Sequence, residues 1–318
     1  MWTDILDRQK LVEIAYQKGT ELNLNNKNYL RWIDSFFAKE YLDDVGAGDV
    51  TSNAVLTKNE PKTAILTAKA SGVICGIEEV SWFLWKHSLD VKVYKKDGEE
   101  TLPGEAVLEI QGKQKDILAT ERIVLNVLQR MSGIATETKR LTGMIKRYGT
   151  RVAATRKTVL RYLDKKAVFL GGGLTHRFGL WDSILIKDNH LEVLKSQGML
   201  DYIEAALAKS SAFADRVGFI EIEVTSHEEA LRAAKKLKAL KLKTPCIVML
   251  DNMTPKTIEA TLETIREEAL YDSVLFEASG DISSENIQKY AKTGIDIVSL
   301  GYLTHSAHAL DLSLEMTP

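Results

Sequence analysis

Residues 219–270 read FIEIEVTSHEEALRAAKKLKALKLKTPCIVMLDNMTPKTIEATLETIREEAL. Two short β-branched runs, FIEIEV and CIVMLD, each lead into a segment whose apolar residues recur at helical spacing. Strand then helix, twice over, predicts parallel strands joined by helical crossovers, because a parallel pair cannot be closed by a tight hairpin. The alternation extends in both directions. Upstream lie RVAAT and DSILIK, behind the long amphipathic stretch QKDILATERIVLNVLQRMSGIATETKRLTGMIKRYG; downstream lie SVLFEAS, SENIQKYAKTG and DIVSLG. Six such runs, none followed by a Gly-x-Gly-x-x-Gly turn, favour a closed or nearly closed α/β barrel over an open dinucleotide-binding sheet.

Ahead of the barrel the pattern changes. DDVGAGDVTS is a Gly- and Asp-rich turn. TAILTAKASGVICG, LDVKVYKKDGE and AVLEIQG alternate apolar with polar residues, as the strands of a small sheet do, with SWFLWKH on an accompanying helix. Residues 1–42 predict two helices, one carrying Leu6, Leu11, Ile14 and Ala15, the other Leu30, Ile33, Phe36 and Phe37, broken by the Asn-rich NLNNKN. Both are expected to pack against a neighbouring element or subunit. The expected division is an amino-terminal domain over residues 1–114 and a barrel over residues 115–318, with the C-terminal segment free to return to the first domain.

The chain has 318 residues, 45% of them hydrophobic, enough for a substantial core. Forty-two basic and 44 acidic residues leave a formal charge of −2, so attraction for anions has to come from locally gathered cations, which argues against a general nucleic-acid binder. Cys75 and Cys246 lie in apolar stretches with no partner at zinc or redox spacing and read as packed thiols. No window approaches the roughly 20 apolar residues of a membrane span, and the amino terminus lacks the features of a secretory signal; the expectation is a soluble cytoplasmic protein.

In a barrel of this kind the chemistry gathers at the carboxyl ends of the strands. The residues closing the runs are Arg156 and Lys157; Lys187, followed by Asp188, Asn189 and His190; Glu223; Asp251 with Asn252; Ser279 and Gly280; and Gly301. LGGGLTHRFGLWD adds His176 and Arg177. Such cations suit a ligand with several negative charges, since arginine grips carboxylate or phosphate in a bidentate way and lysine supplies a mobile point charge. Glu223 and Asp251 then have two readings, as acceptors for sugar hydroxyls or as holders of a Mg²⁺ that bridges to phosphate oxygens. Either points to a sugar phosphate. EASGDISSEN and LGYLTHSAHAL each put a Gly-containing turn immediately before a helix, where free backbone N–H groups favour a phosphate. Plainer readings exist: Asn189, Thr304 and Ser306 as helix N-caps, GGG as a tight turn, His227 as a solvated first-turn residue. The repetition resists them, because a charge ending an apolar strand is costly to bury unpaired and here it recurs from strand to strand.

ERIVLNVLQRMSGIAT, TRKT, GGGLTHRFGLWDSILIKDNH, IEIEV, LDNM, EASGDI and LGYLTHS, in that order, resemble the quinolinate phosphoribosyltransferase family, also called nicotinate-nucleotide pyrophosphorylase (carboxylating). The resemblance runs from about DDVGAGDVTS to the C-terminus. It implies an amino-terminal open-faced α/β sandwich followed by an incomplete α/β barrel, and the condensation of quinolinate with phosphoribosyl pyrophosphate to nicotinate mononucleotide, pyrophosphate and CO₂. Carried over by motif, Arg156, His176, Arg177 and Lys187 surround the quinolinate dicarboxylate, with Lys157 and Lys187 also near the pyrophosphate. Glu223 and Asp251 match the residues at the ribose hydroxyls and Mg²⁺, and Ser279, Gly280 and Gly301 the loops holding the 5′-phosphate. Arg122 resembles the arginine that family dimers lend across the interface, which implies a homodimer or higher homo-oligomer.

One departure stands out. The family usually continues TRKT with Thr-Pro-Gly, whereas Thr158 runs straight into Val159, Leu160 and Arg161, two residues shorter, which alters one wall of the expected pocket. Lys187 to His190 of IKDNH favour the quinolinate enzyme over a related group encoded near molybdenum-transport genes. The alternatives are a paralogue acting on another aromatic acid, an aldolase-like enzyme using Lys187 as a Schiff base, and a catalytically silent nucleotide-binding member of the family.

Overall fold

A computed structural model of the chain describes residues 8–317; Leu6, placed on the first expected helix, lies outside the described residues. In chain order come helices α1 (Arg8–Tyr16), α2 (Lys27–Val45) and α3 (Val50–Val55), strands β1 (Pro61–Ala68) and β2 (Gly72–Val73), helix α4 (Ile77–Lys86), and strands β3 (Asp90–Val93), β4 (Glu100–Thr101) and β5 (Ala106–Lys113). The long helix α5 (Gln114–Ile145) leads to β6 (Arg151–Ala153), α6 (Arg161–Leu170), β7 (Ile184–Ile186), α7 (Asp188–Ser196) and α8 (Tyr202–Ser211). Then follow β8 (Ile220–Val224), α9 (His227–Leu240), β9 (Cys246–Asp251), α10 (Pro255–Glu267), β10 (Leu275–Ser279), α11 (Ile287–Ala291), β11 (Ile297–Ser299), α12 (Tyr302–His305) and β12 (Leu312–Met316).

The chain divides into two compact units. The first comprises residues up to 18, 140–158 and 173–302. Its sheet is wholly parallel, in the order β6-β11-β10-β9-β8-β7. Beside β6, among the described residues, the ring continues only through Leu174, whose N–H donates to Val152 O (2.8 Å) and whose carbonyl accepts from Ala154 N (2.9 Å). This is the expected incomplete α/β barrel. β8 is buried along its whole length and β9 along nearly all of it, as strands covered on both faces must be. Local chemistry starts the crossover helices on time: Ser226 Oγ accepts from Glu229 N (3.2 Å) at the head of α9, and Thr254 Oγ1 accepts from Thr257 N (3.2 Å) with Pro255 opening α10.

Within this unit α1 covers the amino-terminal ends of the strands. Val12, Ala15 and Tyr16 pack with Ala153, Leu174, Phe219, Ile247, Leu275 and Ile297 in one core cluster. Arg8 fastens the start of the helix, donating from Nη2 to Asp296 Oδ2 (2.7 Å) and the Val274 carbonyl (2.8 Å) and from Nη1 to the Tyr271 carbonyl (2.8 Å). The neighbour of the first expected helix is thus the barrel of its own chain.

The second unit comprises residues 19–139, 159–172 and 303 onward, and carries the antiparallel sheet β12-β1-β5-β3, the α/β sandwich. Its α2 begins where NLNNKN ends, because the Asn26 side chain accepts from Asn28 N (3.0 Å) and Tyr29 N (3.4 Å). Phe37 of α2 stacks on Phe83 of α4 at 4.6 Å between centroids. Lys166 of α6 is buried with its ammonium on the carboxylates of Glu78 and Glu79.

These units do not follow a single cut after residue 114: residues 8–18 go with the barrel and 159–172 with the sandwich. The chain passes from one unit to the other inside α5, a continuous amphipathic helix with no change of composition to mark the crossing. Truncating a barrel core residue such as Ile247→Ala is expected to destabilise the folded chain by about 2–5 kcal/mol, read as a lowered denaturant midpoint.

Candidate active site

Alternate residues of a barrel strand point the same way. In β8 these are Glu221 and Glu223, both buried; cross-strand register sets Glu223 beside Met249 of β9, Met249 beside Glu277 of β10, and Asp251 beside Ser279. Glu223, Met249, Asp251, Glu277 and Ser279 open onto one cavity of about 540 Å³, a volume suited to small-molecule ligands. Arg156, Lys157, His176, Arg177, Lys187 and Gly280 line the same cavity. Nine of the eleven residues expected to form a site therefore meet in one place.

The cations arrive from different elements. β6 ends at Ala153, and Arg156 and Lys157 sit on the turn beyond it, exposed, where Thr155 Oγ1 accepts from Lys157 N (3.0 Å) and Arg156 O from Thr158 N (3.0 Å). Lys187 follows β7 directly and occupies the N-cap position of α7; its N–H donates to His190 Nδ1 (2.9 Å) and its ammonium to Glu223. Arg177 is buried, with Nη1 donating to Ser183 O (3.1 Å). Burial first, and repulsion from Arg156 second, push its pKa down. Among the described residues neither arginine is in an ion pair.

Beneath them lies a buried polar floor. His176 adopts a left-handed backbone conformation (φ 55°), and its Nδ1 accepts from Arg177 N (2.6 Å), so the proton sits on Nε2, 3.4 Å from Glu221 Oε2. Tyr16 OH donates to Glu221 Oε1 (2.8 Å). Ligand-capable atoms of His176, Glu221 and Glu277 all lie within 4.8 Å of one another. Desolvation raises both carboxyls, Glu221 to about 8 and Glu277 to about 7, the latter pushed further by the neighbouring Glu221.

Opposite, Asn252 joins two loops. Its backbone is left-handed (φ 54°), its N–H donates to Ser279 O (2.9 Å), and its Nδ2 donates to Asp251 Oδ2 (2.6 Å). Gly280 has φ 89°, and a Cβ there would come within 2.1 Å of Asn252 Oδ1.

Two expectations change. The Ser279–Gly280 turn does not open directly onto a helix: α11 starts only at Ile287, because Asn286 folds the intervening residues into a loop, accepting from Ser283 N (2.8 Å) and donating to Asp281 O (2.9 Å). Gly301 lies outside the cavity wall, since β11 ends at Ser299 and it is Ser299 that lines the cavity. Arg122 is exposed on α5, in the sandwich unit. Glu221, Glu277, Ser299 and Tyr16 were not singled out in the sequence. The available signal was the acid at every second position of IEIEV and the same spacing of Glu277 and Ser279 in FEAS.

An incomplete α/β barrel whose strand ends hold arginines, lysines and carboxylates around one cavity defines an enzyme for a polyanionic small molecule. Two family models match the chain, quinolinate phosphoribosyl transferase, N-terminal domain, over residues 49–132 and the C-terminal domain over residues 134–315. The chain belongs to the quinolinate phosphoribosyl transferase family. A probable nicotinate-nucleotide pyrophosphorylase [carboxylating] of Methanothermobacter thermautotrophicus is 40% identical, covering 86% of this chain and 95% of that protein. One from Bacillus subtilis is 34% identical over 92% and 95%. The solved structure of the nicotinate-nucleotide pyrophosphorylase from Francisella tularensis superimposes with a TM-score of 0.79 at 30% identity, covering 90% of this chain and 96% of that one.

The floor makes a pH prediction. A carboxyl whose folded pKa is raised keeps its proton longer in the folded chain, so the stability it allows is present below the unfolded value of about 4.5 and is lost as pH rises through about 7. Glu277→Gln removes that loss. The variant is expected to melt several degrees above the parent at pH 8 and level with it at pH 4, in thermal scans at both pH values.

Proposed function

We infer that the protein transfers the phosphoribosyl group of phosphoribosyl pyrophosphate to quinolinate with decarboxylation, forming nicotinate mononucleotide, pyrophosphate and CO₂ in NAD biosynthesis. The observation that carries this reading is the pair Arg156 and Arg177: two guanidinium groups, one buried, that repel each other and are in no ion pair among the described residues, facing one cavity. A ring with two adjacent carboxylates relieves that repulsion, each arginine gripping one carboxylate.

Holding the ring by its carboxylates turns the pyridine nitrogen toward the sugar. The nitrogen lone pair forms the bond to ribose C1 as the bond from C1 to pyrophosphate breaks, through a cation-like sugar, so the protein's work is alignment and stabilisation of departing charge. Lys157 and Lys187, on the turns after β6 and β7, are assigned to the pyrophosphate oxygens. Glu223 and Asp251 are assigned to the ribose hydroxyls, and Ser279 and Gly280, with Gly301 behind them, to the 5′-phosphate. The carboxylate next to the quaternised nitrogen then leaves as CO₂; its bonding electrons stay on the ring carbon, stabilised by the adjacent cationic nitrogen, and form the new bond to a proton.

Glu223 and Asp251 also suit Mg²⁺: both offer carboxylate oxygens to the cavity from neighbouring strands. Bound there, the ion would supply positive charge to the pyrophosphate. We assign Arg122 to the site of a partner subunit in a homodimer, a reading supported by its exposure on α5. Among the described residues no helix is long and apolar enough to cross a membrane, and a cytoplasmic location is proposed.

The purified protein with quinolinate, phosphoribosyl pyrophosphate and Mg²⁺ is expected to release nicotinate mononucleotide; no product there, with turnover of another pyridine carboxylate in the same panel, overturns the substrate assignment. Arg177→Ala is expected to raise KM for quinolinate by about a hundredfold or more with a smaller loss in kcat, whereas Lys187→Ala lowers kcat as well, both read from initial rates. Mixing Arg122→Ala with Arg156→Ala protein is expected to restore part of the lost activity. No recovery at any ratio, with subunit exchange confirmed, counts against the shared site.

A further inference from the structure

The amino-terminal segment lies outside both matched family regions, which begin at residue 49, yet it reaches the floor of the cavity. Three consecutive residues at the end of α1 grip the loop that carries His176 and Arg177. Tyr16 O accepts from His176 N (3.0 Å) and from Thr175 Oγ1 (2.8 Å). Gln17 Nε2 donates to Gly173 O (3.1 Å), and Lys18 N donates to Thr175 Oγ1 (2.9 Å). The Lys18 ammonium pairs with Asp182, whose other oxygen accepts from Phe178 N (2.6 Å). The loop is thus held at its start, its middle and its far end.

The side chain of Tyr16 adds a second hold. Its ring lies 4.4 Å from the His176 imidazole, centroid to centroid, and 4.8 Å from the Phe219 ring, while its hydroxyl donates to Glu221, the carboxylate that faces His176 Nε2. His176 in turn accepts the N–H of Arg177. A non-glycine residue at φ 55° keeps that conformation only where its surroundings over-determine it. Here the surroundings are the carbonyl of Tyr16 on one side and the Tyr16–Glu221 pair on the other.

We propose that the amino-terminal helix is an internal brace for the anion-binding loop, with Tyr16 a positioning residue that sets His176 and, through it, the guanidinium of Arg177. The inference rests on the functional reading above, in which Arg177 grips the aromatic dicarboxylate. The brace acts on one substrate only, because the loop it holds carries the ring's ligands and none of the residues assigned to the ribose or the 5′-phosphate.

Tyr16→Phe tests this, since it keeps the ring packing and removes only the hydroxyl's hydrogen bond. KM for quinolinate is expected to rise about five- to thirtyfold, with KM for phosphoribosyl pyrophosphate and kcat within about twofold of the parent. Lys18→Gln, which weakens the hold on Asp182 from outside the core, is expected to give the same selective rise and serves where Tyr16→Phe fails to fold. Val12→Ala is the control: it loosens the same helix in the core without touching the brace, and is expected to lower the melting temperature while both KM values stay put. An active parent whose Tyr16→Phe and Lys18→Gln variants keep their KM for quinolinate overturns the brace. So does a Val12→Ala variant with the same selective rise, which would reduce the effect to stability. A parent that forms no nicotinate mononucleotide overturns instead the functional reading beneath it.

Discussion

A parallel barrel can fill its interior only with every second residue of each strand, and in this protein several of those places hold carboxylates. Glu221, Glu223 and Glu277 stand where most barrels of this kind pack branched aliphatic chains, and each needs an answering group. Lys187 answers Glu223, while Tyr16 and His176 answer Glu221. Much of the cavity's arrangement follows from where those partners must stand. The apolar residues pointing the other way, Ile220, Ile222, Val248 and Leu250 among them, keep the unit folded around a polar middle.

The two ends of the barrel share the labour. One end is closed by α1 and its apolar residues, anchored through Arg8 to Asp296. The other carries turns whose polar atoms stay available, held by short-range bonds such as those of Thr155, Asn252 and Asn286. Site residues on such turns are positioned by a rigid scaffold rather than by the turns themselves.

Much of this was legible in the residues. FIEIEV and CIVMLD gave away the parallel sheet because each is followed by an amphipathic segment long enough for a helical crossover. Glu223, Asp251 and Ser279 could be found by asking what closes each run, since a polar residue there has few structural excuses. Glu221 and Glu277 could not be found that way: they lie two residues earlier, inside the apolar runs, and only the three-dimensional neighbours Tyr16 and His176 give them meaning. The late start of α11 was hidden because Asn286 organises its loop through contacts that no periodicity reports. The passage between units was hidden for the opposite reason, since α5 is periodic throughout.

The contact between Gly280 and Asn252 binds the histories of two loops that are far apart in the chain. A side chain at 280 would have to displace Asn252, and with it the amide that steadies Asp251, so drift at either position is paid for in the geometry of the other strand end. Adjacent turns locked in this manner can be exchanged only together, since a graft of one without its mate would bring the acid in at the wrong height.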